Sequence, residues 1–253
     1  MTMEIVLQSL QKQVEPLSQF VDLFAASLGN PSLRGSEVNR GYRFHNPDVR
    51  HFCLLKSVRL VSALNAMIEL ARKGYIQEIC VLIRTVAEFT THIEFVLEEG
   101  PEEHRAEVDK YVRAFFADWQ RGSGAEIVKA QVPQGLVNVT LGQVLDNIAV
   151  ERGLKEGRAS AGKLYSNIYR VFSNYVHGKY PEVMDTYGGL PGKFHLSGMS
   201  GTRKDAENLT QIQTWIESVT NTFIIMIKSL NLGGLVEKDR EVVTWYRRWH
   251  ETA

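Results

Sequence analysis

The sequence predicts an all-α protein that folds as a single-domain up-and-down helical bundle of about seven or eight helices. Apolar residues recur at the three- and four-residue spacing of amphipathic helices along most of the 253 residues. Strands that alternate with helices are absent from the pattern, and so are the glycine-rich turns that cradle nucleotides. No repeat or long linker divides the chain, so one helical domain is expected over residues 1–253.

Capping residues, glycines and prolines set the predicted helix ends. The Gly-Asn-Pro sequence after residue 28 ends the first helix, and a basic loop over residues 32–46 leads to the second. Gly100-Pro101 ends the third helix, the most apolar one, because proline cannot continue a helix. The predicted ranges in chain order are 3–28, 47–74, 76–97, 102–120, 140–152, 163–177, 203–230 and 235–252.

The second half of the chain is also predicted to be helical, with one interruption. Thr140 is typical of an N-cap residue, and Gly178 followed by Pro181 is the order expected after a helix C-terminus. Residues 187–201 are rich in glycine and contain a short alternating run, so we expect a mobile loop or a small hairpin there. The N-terminal helix within residues 1–30 is expected to be peripheral, and a C-terminal helix lies within 235–253.

Composition and charge exclude several function classes. The 29 basic residues balance 29 acidic ones, so a surface that coats nucleic acid non-specifically is not expected. Cys53 and Cys80 lie in apolar helical runs, which is typical of reduced core residues in a cytoplasmic protein. The chain shows no secretory signal and no apolar run long enough to span a bilayer, so no membrane partner is expected.

A polar face on the predicted helix 163–177 is the main functional signal. Arg170, Asn174 and His177 fall at i, i+4 and i+7 and therefore point the same way. An ordinary solvated face would carry mostly Lys and Glu, whereas Arg170 is the only charged residue between Lys163 and Gly178. This composition predicts a surface that meets a partner. The alternative is a plain helix end at which His177 interacts favourably with the last carbonyls.

A second group of polar residues lies on the most apolar helix. Arg84, Glu88 and His92 follow one another at intervals of four residues, and an unpaired charge there would be costly to bury. Arg84 and Glu88 can pair along the helix, and with His92 and Ser173 they form a candidate polar network that supports His177. Arg84 and Glu88 can therefore be either a structural ion pair or residues with a direct chemical role.

Metal and nucleophile chemistry find little support in the residue spacing. Carboxylate di-iron bundles need Glu-x-x-His pairs, and this chain has Glu88 and His92 one residue further apart. A mixed site of Glu88, His92 and His177 is geometrically conceivable, but no metal and no cofactor are expected. The Gly-x-Ser-x-Gly elbow of serine hydrolases does not occur.

The sequence from Arg170 to His177, Arg-Val-Phe-Ser-Asn-Tyr-Val-His, resembles the Arg-x(4–6)-His motif of the HEPN superfamily. These are all-helical proteins that are common in bacterial toxin–antitoxin and anti-phage defence systems. Arg84-Thr-Val-Ala-Glu88 followed later by Ser-Asn-Tyr-Val-His-Gly is also similar to a family of uncharacterised HEPN-like bacterial proteins. The resemblance covers residues 47–230, which would form a HEPN-like core.

The resemblance implies metal-independent RNA cleavage at the interface of a homodimer, in a toxin or antiviral effector that a cognate antitoxin or another defence protein regulates. His177 would act as general base or acid, Arg170 would hold the phosphate, and Asn174 would orient the substrate or His177. Active family members usually place a polar residue after the arginine, where this chain has Val171. Asn174 and Ser173 could supply the missing polar contact.

Two hypotheses of different class therefore remain. The first is the HEPN-like ribonuclease, which predicts Arg170 and His177 in an open basic cleft near a two-fold axis. The second is a non-catalytic helical binding or scaffold module in which Arg84, Glu88 and His177 form a buried, satisfied polar network.

Overall fold

The computed structural model describes residues 3–35, 40–117, 171–187, 193–202 and 204–250, with the backbone alone at 117 and 204–208. The all-α prediction is confirmed for these residues, to which one small two-stranded sheet is added. The elements in chain order are α1 (Met3–Leu28), β1 (Ser32–Arg34), β2 (Gly41–Arg43), α2 (Val49–Lys73), α3 (Ile76–Leu97), α4 (Glu102–Ala117), α5 (171–176), α6 (Tyr180–Met184), α7 (Lys204–Ser229), α8 (Gly233–Val236) and α9 (Arg240–His250). A 3₁₀ turn, Asp185–Tyr187, follows α6.

Four long helices build the core. α2 contacts α1, α3 and α7, and α7 also contacts α1 and α3. α1 buries one stripe at helical spacing, from Leu7 through Val14 and Phe20 to Phe24. The Phe20 ring lies 6.1 Å from that of Phe24 and 5.9 Å from that of Phe223, between centroids. Each such fully buried phenyl contributes about 1.5–3 kcal/mol through loss of water contact.

Local capping fixes both ends of α2. Asp48 has an extended backbone, and its side chain accepts hydrogen bonds from the backbone N–H groups of Arg50 at 3.0 Å and His51 at 3.2 Å. At the other end Gly74 takes the left-handed conformation, with φ 71°, that glycine adopts without strain. Only Tyr75 then separates the cap from α3, so α2 and α3 are adjacent in space as well as in sequence.

The predicted basic loop contains a β-hairpin. β1 and β2 pair antiparallel, with Leu33 opposite Tyr42. The hairpin was expected, if anywhere, in residues 187–201, but the described part of that segment, residue 187 and residues 193–201, has no strand. The predicted helix 140–152 and residues 163–170 of the motif helix lie outside the described residues.

The segment 193–202 packs its backbone against the turn between α2 and α3. The N–H of Met199 donates to the carbonyl of Gly74 at 2.8 Å, and the Met199 side chain is buried. Gly198, with φ 92°, meets the carbonyl of Lys73 so closely that no Cβ fits. No helix in the described part of the chain is both long and apolar enough to cross a membrane.

Candidate functional site

The described part of the motif helix, α5, ends in a well-formed C-cap. The N–H of Lys179 donates to the carbonyl of Asn174 at 3.1 Å, and that of Gly178 donates to the carbonyl of Tyr175 at 3.2 Å. This pair of bonds is the Schellman motif, which needs the positive φ that Gly178 has, 56°. The chain therefore turns sharply after His177 and enters α6.

Two aromatic side chains hold α5 against the core. Phe172 is buried, and its ring lies 6.3 Å from that of Trp215 on α7. The hydroxyl of Tyr175 donates to a carboxylate oxygen of Asp185 at 2.8 Å, and burial together with this bond raises the pKa of Tyr175 above its ordinary value. Val171, the apolar residue that follows Arg170 in the motif, is 46% exposed.

Ser173 joins α5 to the Arg84–Glu88 pair on α3. Arg84 Nε donates to Ser173 Oγ at 3.1 Å, and its Nη1 donates to Glu88 Oε2 at 3.3 Å. The ion pair is partly buried, with 25% of the Arg84 side chain and 34% of the Glu88 side chain exposed. The structure therefore brings together three of the four residues named for the supporting network.

Asn174 makes its hydrogen bond to a residue that the sequence interpretation did not select. Its Nδ2 donates to Glu182 Oε1 at 3.0 Å, and Gln77 Nε2 donates to the backbone carbonyl of Glu182. A glutamate six residues after the end of α5 carries no special pattern, so only the turn at Gly178 brings it into reach. Asn174 is thus positioned by α6, and through Gln77 both are tied to α3.

His177 is the exposed member of the group. Its backbone N–H donates to the carbonyl of Ser173 at 3.0 Å, while its imidazole has no hydrogen-bond partner in the described part of the chain. The side chain is exposed, one turn beyond the residue that Arg84 holds. Arg170 lies outside the described residues.

His92 does not join this network. Its ring packs 5.6 Å from that of Tyr111 and 6.1 Å from that of Phe89, and its Nδ1 is buried without a partner. Burial, and secondly the charge of Lys56, lower the pKa of His92 to about 3, so the ring is neutral at neutral pH. The described residues contain no cluster of three or more His, Cys, Asp or Glu side chains suited to a metal ion.

Lys56 is a buried cation that the sequence interpretation missed. Its Nζ lies 4.4 Å from the ring centroid of Phe89, 4.9 Å from that of Phe115 and 5.3 Å from that of Phe52. Desolvation lowers the pKa of Lys56 to about 8, against an opposing effect of the Glu88 carboxylate. The available signal was position, because Lys56 comes four residues after the buried Phe52 on α2.

The site therefore has an interior part and a surface part. Inside, Lys56 and Tyr111 both respond to the charge of Glu88, which also binds Arg84. At the surface, the arginine reaches Ser173 and so fixes the helix turn that ends at His177. The chain matches no protein-family model, no curated protein and no solved structure.

Proposed function

We propose that the protein is a HEPN-like, metal-independent endoribonuclease whose acid–base group is His177. The observation that carries the proposal is the exposed His177 imidazole on a rigid support, since the preceding turn is held by Arg84 through Ser173. Catalytic groups need fixed backbones and accessible side chains, and this histidine has both.

The proposed reaction needs only a positioned acid–base group and a cation. His177 takes the proton of a ribose 2′-hydroxyl, the 2′-oxygen attacks the adjacent phosphorus, and the bond from phosphorus to the 5′-oxygen breaks. The products are a 2′,3′-cyclic phosphate and a 5′-hydroxyl, which receives a proton from a protonated histidine or from water. Arg170 is assigned to the phosphate because its planar guanidinium matches two phosphate oxygens.

A homodimer completes the proposed site. Exposed apolar side chains surround His177 in sequence: Val171, Val176, Tyr180 and Val183 are between 41% and 78% exposed. Exposed apolar side chains next to a candidate catalytic group are typical of an interface. We place a second copy of the chain there, so that two His177 residues lie near one two-fold axis.

The remaining family features are part of the same proposal. The helices would form an up-and-down bundle, a topology that the two-residue connection between α2 and α3 favours. The setting would be the cytoplasm, where the RNA substrate is found. Regulation would come from a cognate antitoxin or another defence protein.

The test is RNA cleavage by the full chain in excess chelator. A mixed RNA pool is incubated with the wild type, His177→Ala, Arg170→Ala and, as the control, His250→Ala, which removes an exposed histidine on α9. We expect chelator-resistant cleavage by the wild type and the control, and a loss of at least about 100-fold in the other two variants. Cleavage that persists in His177→Ala, or its absence in the wild type, contradicts the nuclease.

A non-catalytic binding module is the second candidate, and the contacts of Ser173 and Asn174 favour it. Both polar side chains of the predicted face are occupied by other residues of the chain, Arg84 and Glu182. In this case the network is purely structural. The wild type would then leave RNA uncleaved, as would His177→Ala, whereas Ser173→Ala would lower the melting temperature.

A further inference from the structure

A cavity of about 550 Å³ lies between α1, α7 and α9. It shares no lining residue with the site around His177. The volume is in the range of small-molecule sites in proteins. Its apolar lining comes from two indole rings, Trp245 and Trp249, together with Pro16 and Ile216. Such a lining suits a flat, apolar ligand body.

One of the residues that line the cavity carries a hydrogen-bond donor that has no acceptor. Trp245 is 94% buried, at 6% exposure, and its indole Nε1 has no partner in the described part of the chain. Buried polar groups in native proteins are almost always hydrogen-bonded, and leaving one unpaired is unfavourable. A ligand oxygen is an acceptor that the cavity could receive.

The charges at the cavity favour an anion. Lys12, Arg240 and Arg248 line it together with two acids, Glu15 and Glu241. Glu241 already accepts a hydrogen bond from Gln19 Nε2 at 2.8 Å. In contrast, the side chains of Lys12 and Arg240 have no hydrogen bond or ion pair to other described residues. Two cations are therefore available to a ligand.

We propose that this cavity is a binding site for a small planar aromatic anion. The ring stacks on the indole surface, and the anionic oxygens bind Lys12 and Arg240. When a ligand oxygen lies at the edge of the Trp245 indole ring, it also accepts a hydrogen bond from the Trp245 N–H. The site does not depend on the proposed ribonuclease activity.

The probe for the test is naphthalene-2-carboxylate, with the neutral naphthalene-2-carboxamide as its matched partner. Calorimetry measures binding to the full-length wild type, Lys12→Gln/Arg240→Gln and the control Arg247→Gln, an exposed cation of α9 outside the cavity lining. We expect the carboxylate to bind at least about tenfold more tightly than the amide, and the double variant to lose that preference. The control should keep it.

Nuclear magnetic resonance gives a readout that reports on position. The chain has four tryptophans, so four indole N–H signals can be assigned by Trp→Phe substitution. We expect the Trp245 signal to shift downfield with the carboxylate. Equal affinity for both probes, no binding to about 1 mM, unchanged preference in the double variant, or a Trp245 signal that stays fixed each overturns the proposal.

Discussion

Lys56 illustrates at the scale of a single residue how charge and apolar surface compete. An ammonium group buried among three phenyl rings loses its hydration but gains attraction from the ring faces. The pKa falls from 10.5 to about 8, because desolvation outweighs the attraction of the Glu88 carboxylate. The difference corresponds to a cost of about 3 kcal/mol for keeping the charge in the folded protein.

We therefore predict that Lys56→Met stabilises the protein at pH 7, by about 1–3 kcal/mol after loss of the cation–π contacts. The sign follows from linkage, because the unfolded chain binds the proton more tightly than the folded one. The free energy of unfolding of the wild type should rise as the pH increases from about 8 toward 10.5. Below pH 8 the destabilisation from the buried Lys56 charge is fully present.

Urea unfolding of both proteins between pH 7 and 10 measures this effect. Lys238→Met, which replaces an exposed lysine, is the control and should change stability by less than about 0.5 kcal/mol. A Lys56→Met protein that is less stable than the wild type at pH 7 would show that the aromatic rings outweigh desolvation.

His92 provides the corresponding prediction in acid. Its pKa is about 3 in the folded state against 6.5 ordinarily, and the groups around it are Lys56, Tyr111 and Phe89. The unfolded chain takes up the proton first, so stability is intact above pH 6.5 and falls as the pH decreases toward 3. Between pH 6.5 and 4 we expect this residue to contribute a loss of about 3 kcal/mol.

His92→Phe should remove that contribution, whereas His250→Phe at an exposed position should not. Chemical denaturation of the wild type and the two variants at pH 7, 5 and 4 gives the free energy of unfolding of each protein as a function of pH. Parallel curves for the wild type and His92→Phe would mean that the imidazole is not buried in its neutral form.

At the scale of elements, the ends of helices were predictable from the sequence, but most side-chain contacts between elements were not. The breaker after residue 28 and the glycines 74 and 178 end helices as expected because their conformational limits are local. The contact of Ser173 with Arg84 was also within reach, since Arg84 stood out on an apolar helix and Ser173 was named beside it in the candidate network. Glu182 and Lys56 escaped notice because each looks like an ordinary surface charge until another element covers it.

The β-hairpin of β1 and β2 was not predicted, for a related reason. β1 and β2 have three residues each, too few to show the alternation that predicts a strand. Their pairing depends on the chain reversal between them. Likewise, spacing alone placed Ser173 and Asn174 on one polar face, but only the folded chain shows that α3 and α6 already occupy that face.

The contact between the 193–202 segment and the α2–α3 turn gives a prediction for an element. Gly198→Ala should destabilise the protein by about 2–4 kcal/mol, because the new methyl group meets the carbonyl of Lys73 and the positive φ disfavours alanine. Gly201→Ala is the matched control, since Gly201 has φ 81° but open space around it. It should cost only about 1 kcal/mol.

Thermal and urea unfolding of the two alanine variants measure the difference. Equal losses in Gly198→Ala and Gly201→Ala would show that backbone conformation alone matters and that the segment does not pack on the turn.

At the scale of the whole molecule, the exposed apolar side chains near His177 form the surface at which we propose that a second copy binds. Val176 is 43% and Tyr180 78% exposed, and burying both in an interface favours a dimer. A second copy would give a mass of about 57 kDa, twice the 28.7 kDa of the chain. The same surface would carry the candidate catalytic histidine into the interface.

We predict that the wild type sediments as a dimer at concentrations of about 10 μM and that Val176→Lys/Tyr180→Lys is a monomer, since like charges oppose each other across a two-fold interface. Tyr42→Lys, which replaces a 69% exposed tyrosine on β2, should leave the dimer intact. Helical circular dichroism should be the same in all three proteins. If cleavage requires two copies, the monomeric variant loses it while the Tyr42→Lys control keeps it. A monomeric wild type, or a dimer that survives both lysines, removes this surface as the interface.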